Sequence, residues 1–250
     1  MTPRILLYDI ETSPHQGYVW GAYEQTVLHF TKHREILTVA YKWLGDKKVT
    51  VLTRADFKDK TDRSLVKAVH SLLDEADVVV GHNSIQFDNK VAHARFIFHK
   101  LPPPSPFRNF DTKRVAKSVF QFTTNKLDDL GKFLGFGGKI VTPGISLWLR
   151  AMEGDKAALK EMGEYNGRDV ELLEQVYLAL RPYSRGPGLS NLSHKDACPK
   201  CGKESLIKKG LAATATSTYQ RFKCTSCGGW SRGRDNYQVS KIGKIKAVGT

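Results

Sequence analysis

ILLYDIET, residues 5–12, is the segment from which the architecture of the chain can be inferred. Its apolar first half predicts a buried strand that ends in acidic residues. Asp9 and Glu11 are two positions apart, so in an extended chain both carboxylates point to the same face. Two carboxylates on one face repel each other unless a cation lies between them. The segment therefore predicts a strand whose end holds a metal ion.

The segments that follow predict both strands and helices, in a mixed α/β order. Further strands are predicted at residues 36–43, 48–53 and 77–80, with a hairpin turn at Gly45-Asp46. Helices are predicted at residues 62–75, 88–100, 113–120, 127–134 and 157–180. Gly163 and Gly167 weaken the first half of the last helix and could bend it. We expect the first strands to pair antiparallel and the strand at 77–80 to join them through a crossover, which gives a mixed sheet flanked by helices.

Three more residues extend the acidic pattern begun by Asp9 and Glu11. Asp88 follows the strand at 77–80 and opens a helix, and Tyr165 and Asp169 lie four positions apart, hence on one helical face. Each acid stands at a strand end or on a helix that could pack over the sheet edge, where α/β folds place their ligands. The pattern predicts one site built from distant parts of the chain.

Three motifs in this order resemble the exonuclease motifs of the DEDD superfamily. They are Asp9-Ile10-Glu11-Thr12, Asn83-x-x-x-Phe87-Asp88 and Tyr165-x-x-x-Asp169. The tyrosine is similar to that of the DEDDy branch, which includes the proofreading domains of family A and B DNA polymerases. The histidine branch would place His five residues before the last Asp, where this chain has Glu164. Asp111-Thr112 and Leu127-x-x-Leu130 also resemble landmarks of the superfamily.

The resemblance implies a ribonuclease-H-like fold over residues 1–182 and a 3′→5′ exonuclease that hydrolyses phosphodiester bonds, with DNA preferred over RNA. It also implies two Mg²⁺ or Mn²⁺ ions held by Asp9, Glu11, Asp88 and Asp169, with Asp9 between them. Tyr165 would position the attacking water. An RNA-trimming exonuclease and a structure-selective endonuclease on the same fold are alternatives. A nucleic-acid-binding adaptor without activity is the alternative from another class.

Asn83 and Phe87 are candidate substrate-binding residues within the second motif. The resemblance implies that Asn83 lies near the site and that Phe87 packs beneath it or touches the terminal nucleotide. Plain core packing explains Phe87 equally well. Asp111 could be a further acid near the site, but a cap of the following helix is the preferred interpretation.

The cysteines form two knuckles, Cys198-x-x-Cys201 and Cys224-x-x-Cys227, each followed by glycine. Four thiolates at this spacing can hold one tetrahedral Zn²⁺. Strands are predicted between the knuckles at residues 205–208 and 218–223. The pattern resembles a zinc ribbon, here at residues 198–240, with a redox dithiol or unpaired thiols as alternatives. Reduced cysteines favour the cytoplasm or an equivalent reducing compartment.

The charge is unevenly distributed over the 250 residues, whose net charge is +14. Residues 1–182 contain 26 Lys and Arg against 22 Asp and Glu, whereas residues 183–250 contain 13 against 3. We expect a linker at residues 183–197, a basic ribbon and a frayed basic tail at 241–250. The ribbon combines aromatic and cationic side chains that suit nucleic acid: Tyr219, Arg221, Phe222, Trp230, Arg232, Arg234 and Tyr237. Alternatives are a small core of Phe222 and Trp230 with solubilising cations, or docking to a replication or repair protein.

Composition excludes other classes of protein. A hydrophobic content of 40% is too high for a disordered chain. No run approaches the roughly 20 apolar residues that a membrane span needs. We expect the N-terminal segment not to be a signal peptide, because its short apolar run soon meets charge.

Overall fold

The computed structural model describes residues 3–23, 26–59, 61–138, 144–189, 192 and 196–237. The chain forms two compact units, which divide between Leu180 and Arg181. The predicted linker at 183–197 lies only partly within the described residues, and the predicted tail at 241–250 lies outside them. Among the described residues, no helix has both the length and the apolar character needed to cross a membrane.

The first unit contains a mixed sheet with helices on both faces. Its strands are β1 (Ile5–Thr12), β2 (Gln16–Tyr18), β3 (His29–Lys32), β4 (Ile36–Trp43), β5 (Thr50–Thr53), β6 (Val78–Gly81) and β7 (Arg108–Asp111). Its helices are α1 (Arg63–Glu75), α2 (Asp88–Phe98), α3 (Thr112–Val119), α4 (Leu127–Phe133), α5 (Ile145–Met152) and α6 (Lys156–Leu180), with a short 3₁₀ helix at Arg54–Asp56. The mixed α/β class expected from the sequence is confirmed.

Strand β1 lies in the middle of a five-stranded sheet with the order β5-β4-β1-β6-β7. It pairs antiparallel with β4, where Asp9 lies opposite Ala40, and parallel with β6. The expected antiparallel start and crossover are therefore confirmed. A central strand is covered on both faces, which explains the nearly continuous apolar run of Ile5 to Tyr8.

The pleat of β1 separates its side chains between two layers of helices. Tyr8 and Ile10 belong to a buried cluster with residues of α1 and α2. Asp9 faces the other way and is bonded to Asn166 of α6. Because side chains two positions apart share a face, Glu11 points to the same side as Asp9. The acids of β1 are thus directed toward α6.

Helix α6 runs without interruption through the two glycines that could have bent it. A Cβ atom at Gly163 would lie 3.0 Å from a methyl group of Val51, and one at Gly167 would lie 3.2 Å from the other methyl group. The glycines let the helix approach β5 closely. Their cost in helix propensity is about 1 kcal/mol each, and close packing against the sheet offsets it.

The β2–β3 hairpin, β7, α5 and the short 3₁₀ helix of the first unit are not predicted from the sequence. Strand β7 reads Arg108-Asn109-Phe110-Asp111, which lacks an apolar run. This strand forms because its backbone hydrogen-bonds in parallel with β6. Strand β6 in turn pairs with the buried strand β1. Tertiary pairing overrides the weak local preference of this strand.

The second unit contains an antiparallel sheet with the order β10-β9-β8. Its strands are β8 (Leu206–Ala213), β9 (Thr218–Cys224) and β10 (Trp230–Asn236). The two strands predicted between the cysteine knuckles are confirmed, and β8 is longer than expected. This small sheet and its cysteine cluster are compatible with a zinc ribbon.

Candidate active site and cysteine cluster

The acids of β1 and α6 meet at one point of the first unit. Carboxylate oxygens of Asp9, Glu11 and Asp169 all lie within 4.8 Å of one another. Asp169 is buried, whereas Asp9 and Glu11 are half-buried. Three like charges at this separation repel strongly, and a bound cation removes the repulsion. Carboxylate oxygens are the ligands that Mg²⁺ and Mn²⁺ prefer, so these residues fit such an ion.

Asp88 lies next to this cluster without belonging to it. It is the first residue of α2 and only 3% exposed. Its Oδ1 accepts a hydrogen bond of 3.3 Å from the backbone N–H of Ile10, which stands between Asp9 and Glu11. Burial raises the pKa of Asp88 to about 7, and the charge of Asp111 adds to the rise. A nearby cation would favour the ionised form, which makes Asp88 a suitable fourth ligand.

Asp111 holds the loop that carries Asp88. Its carboxylate accepts hydrogen bonds from the backbone N–H groups of Asn83 at 3.0 Å and Ile85 at 3.2 Å. It also accepts one from Arg114 at 3.1 Å, which confirms the predicted cap of α3. Asn83 has a positive φ of 69°, a strained conformation for a residue with a side chain. Asp111 therefore stabilises both a helix end and the loop before Asp88.

Asn166 is a member of the site that sequence reasoning missed. Its Nδ2 donates a hydrogen bond of 2.7 Å to Oδ2 of Asp9, and its Oδ1 accepts one of 3.1 Å from Thr38. Thr38 lies opposite Glu11 in the sheet register. The amide thus ties Asp9 to β4 and α6. The one feature of the sequence that could have indicated Asn166 is its position three residues before Asp169, on the same face of the helix.

The remaining predicted residues, Tyr165, Asn83 and Phe87, are all half-buried. Tyr165 lies on α6, one turn before Asp169. The guanidinium group of Arg34 lies over the ring of Phe87, 5.1 Å from its centroid. Phe87 is therefore not a fully buried core residue, and its contact with a substrate remains a prediction.

The four cysteines converge in the second unit. All four sulfur atoms lie within 4.8 Å of one another. Cys198 Sγ is 3.8 Å from Cys227 Sγ, and Cys201 Sγ is 3.7 Å from Cys224 Sγ. Disulfide sulfurs would be about 2.05 Å apart, whereas sulfurs around tetrahedral Zn²⁺, at Zn–S of about 2.3 Å, are about 3.8 Å apart. The donor set fits one zinc ion.

The two knuckles have the same backbone geometry. Gly202 donates to the carbonyl of Cys198 at 2.8 Å, and Gly228 donates to that of Cys224 at 3.0 Å. Both glycines have φ near +75°, in the left-handed region that other residues avoid. Each turn folds the chain back so that two sulfurs of one knuckle point the same way.

The cysteines differ in acidity. Burial raises the pKa of Cys201 to about 12. The pKa of Cys224 falls to about 6, because hydrogen bonds from Ser205 and from the backbone of its own knuckle outweigh its burial. Zinc binds thiolates, so a zinc ion held by these four cysteines would displace the protons of those that are not ionised.

Cations cover the aromatic rings of the small sheet. Arg232 lies over Tyr219 at 3.9 Å from the ring centroid, and Arg221 lies over Trp230 at 4.9 Å. Trp230 is exposed rather than part of a small core. These pairs give the sheet a surface of π faces and positive charge, which suits bases and phosphates.

The fold of the first unit is that of ribonuclease H, a mixed sheet with acids gathered at one edge. A family model described as the RNase_H superfamily matches residues 22–181, and the chain belongs to this superfamily. The matched segment includes Asp88, Tyr165 and Asp169, and Asp9 and Glu11 precede it. Fold and family support a nuclease-type function that uses divalent metal ions.

A solved structure of the family B DNA polymerase from the hyperthermophilic archaeon Pyrobaculum calidifontis is similar in fold. The TM-score is 0.51 and the sequence identity is 14%. The match covers 85% of this chain but 31% of the polymerase chain, so this chain spans less than a third of that protein. No curated protein matches the sequence.

Proposed function

We propose that the protein is a metal-dependent 3′→5′ exonuclease that removes nucleotides from nucleic acid, with DNA preferred. The convergence of Asp9, Glu11 and Asp169 oxygens within 4.8 Å carries this proposal. Asp88 supports it, because its carboxylate is held at the same segment of β1. The direction and the DNA preference rest on the similarity of the Tyr165-x-x-x-Asp169 motif to those of polymerase proofreading domains.

The acids Asp9, Glu11, Asp88 and Asp169 would hold two divalent cations. These ions supply positive charge to the phosphoryl, attacking and leaving oxygens of the reaction. The oxygen of a water attacks phosphorus, the bond to the 3′ oxygen breaks, and the 3′ oxygen takes up a proton. The product is a nucleoside 5′-monophosphate.

Two residues on α6 would prepare the site for this reaction. Asn166 donates a hydrogen bond to one oxygen of Asp9 and so orients that carboxylate. Tyr165 would orient the attacking water through its hydroxyl group, and Asn83 and Phe87 would contact the terminal nucleotide. Tyr165 is not assigned the role of the base, because the reference pKa of tyrosine is about 10.

The second unit would bind zinc and hold the substrate. Its four cysteines have the separations of a tetrahedral site, and its basic, aromatic sheet suits the phosphate backbone. Replacing Arg221 and Arg232 with Ala should weaken oligonucleotide binding and reduce its salt dependence. An unchanged salt dependence would favour docking to a replication or repair protein.

One assay tests the proposed activity against its alternatives. Oligonucleotides labelled at the 5′ end, as single- and double-stranded DNA and RNA, are incubated with Mg²⁺, Mn²⁺ or chelator. A 3′→5′ exonuclease yields a ladder that shortens stepwise from the 3′ end and stops when that end is blocked. Cleavage of the blocked substrate indicates an endonuclease, faster loss of RNA indicates an RNA-trimming enzyme, and binding without cleavage indicates an adaptor.

A further inference from the structure

A hairpin leaves the first unit directly beside the acid cluster. We define the β2–β3 arm as residues 15–34, which connect β1 to β4. Its base is closed by Ser13, whose N–H donates to the carbonyl of Glu35 at 2.9 Å, and whose hydroxyl accepts from Glu35 N–H at 2.9 Å. Ser13 is two residues beyond Glu11. The arm therefore starts and ends within a few residues of the candidate metal ligands.

The arm exposes large aromatic side chains to solvent. Tyr18 is 66% exposed, Trp20 is 86% exposed and Tyr23 is 96% exposed. Such side chains normally bury their rings, and a cluster of exposed ones marks an interaction site. Phe30, also exposed, packs edge-on against His15 at 5.3 Å between ring centroids. Val19 and Leu28 of the arm are also exposed, at 45% and 50%, but its most exposed large side chains are aromatic rings.

The charge of the arm suits a polyanion. With its three histidines counted as neutral, it contains two cations, Lys32 and Arg34, against one acid, Glu24. Lys32 is paired with Glu35 at the base, at 3.1 Å. Together with the aromatic rings, this balance favours nucleic acid over an acyl chain or an acidic protein.

Arg34 links the arm to the acid cluster. Its guanidinium group lies over Phe87, the residue before Asp88. Its Nε is buried and lacks a hydrogen-bond partner among the described residues. The side chain lines a groove of about 350 Å³ together with Thr12, Ser13, Pro14, Ile145 and Trp148. A buried, unpaired N–H of a guanidinium group beside a groove suits a phosphate oxygen.

We propose that the β2–β3 arm binds the unpaired bases of the substrate strand next to the active site. Tyr18, Trp20 and Tyr23 stack on successive bases, and Arg34 binds a phosphate between the arm and the acids. The inference rests on the proposed nuclease function and deepens it by assigning single-stranded ends as the preferred substrate. Bases in a duplex have their faces covered by stacking and cannot engage the arm in this way.

The first test compares binding to single strands and duplexes without added Mg²⁺ or Mn²⁺, so that no hydrolysis occurs. The variant Trp20→Ala/Tyr23→Ala should bind a single-stranded oligonucleotide about tenfold more weakly or worse, with little change for a blunt duplex. Ile97→Ala is the matched control, because Ile97 is an apolar residue with 81% exposure on α2. Unchanged affinity for the single strand, or equal losses for both substrates, would overturn the proposal.

The second test uses the fluorescence of Trp20. Addition of oligothymidylate to the unmutated protein should quench tryptophan emission, because stacked bases quench an indole ring. Trp20→Phe should lose the part of the quenching that comes from the arm but keep most of the affinity, since phenylalanine also stacks. Equal quenching in the unmutated protein and in Trp20→Phe would show that the bases do not contact Trp20, and it would overturn the proposal.

A small substrate separates the failure of this inference from the failure of the nuclease proposal. The p-nitrophenyl ester of thymidine 5′-phosphate has one base and does not reach along the arm. Equal Mn²⁺-dependent hydrolysis by the unmutated and Trp20→Ala/Tyr23→Ala proteins would support an arm that binds substrate only. Loss of ester hydrolysis in the variant would assign the arm a structural role instead. If the unmutated protein hydrolyses no substrate but still shows Trp20-dependent quenching, the nuclease proposal fails and the arm proposal stands.

Discussion

The side-chain amide of Asn166 donates a hydrogen bond of 2.7 Å to Asp9, although the two residues are 157 positions apart. The same amide accepts a hydrogen bond from Thr38, so its orientation is determined by β4. Asp9 is thereby restricted before any ion binds. Residues that orient metal ligands in this way usually affect activity almost as strongly as the ligands.

Replacing Asn166 with Ala should lower nuclease activity by about 10- to 100-fold, because Asp9 loses the donor that orients it. The loss should be partly recovered at high Mn²⁺ concentration, which can be measured by metal titration of the initial rate. Thr38→Val is the matched variant and should have a smaller effect, since it leaves the bond to Asp9 intact. An unchanged metal dependence in Asn166→Ala would contradict a positioning role.

Replacing Asp9 or Asp169 with Ala should reduce hydrolysis to the level measured with chelator, because each removes a carboxylate from the predicted metal site. Oligonucleotide affinity should change little, as these acids bind ions rather than phosphates. Asp128→Asn is the control, because it also removes one negative charge, but from a residue of α4 outside the acid cluster. Residual activity near that of the control would exclude the acid cluster as the active site.

Replacing Tyr165 with Phe should lower kcat while the Mn²⁺ concentration for half-maximal activity stays nearly constant. The variant keeps the ring and removes only the hydroxyl group that we expect to position water. Rates at saturating substrate and a metal titration give the two quantities. Full activity would remove the proposed role of the hydroxyl group.

The second unit should contain one zinc ion per chain, measurable by elemental analysis of purified protein. Cys224→Ser should lose the metal and melt the small sheet, because a unit of this size cannot bury enough core alone. Zinc affinity should fall as the pH falls, since protons compete for the thiolates, and the dependence should become steeper below the pKa of about 6 of Cys224. Zinc binding that is independent of pH would contradict a four-thiolate site.

Asp62 should control the acid stability of the first unit. It accepts hydrogen bonds from Arg95 at 2.8 Å, His99 at 2.7 Å and the N–H of Ile36 at 2.9 Å. Burial raises the pKa of Asp62, but the hydrogen bonds lower it by more. The net result is a pKa below the ordinary value of 3.8. Its contribution is therefore complete above about pH 4 and is lost as the pH falls through the lowered value. Asp62→Asn should lower the free energy of unfolding, measured with urea, by about 3–5 kcal/mol at pH 7 and by less at pH 2.

Local patterns were sufficient for the strands β1, β4 and β6, for most helices and for the ligand candidates. Each of these patterns is contained within a few neighbouring residues. They are the apolar runs, the helical spacing, the acid pair at positions i and i+2 and the two Cys-x-x-Cys knuckles. The glycines of α6 show the limit of such reasoning. Their sequence suggested a weak or bent helix, but their function is close packing against Val51, which only the folded sheet reveals.

Contacts between distant segments required the tertiary structure. No local pattern marks Asn166 as the partner of Asp9, or Asp111 as the acceptor that holds the loop before Asp88. The exposure of Trp20 and Tyr23 is equally invisible in the sequence, where aromatic residues indicate a core as readily as a surface. The chain thus specified which chemical groups are present, whereas the packing of α6 and α2 against the sheet around β1 determined which of them meet.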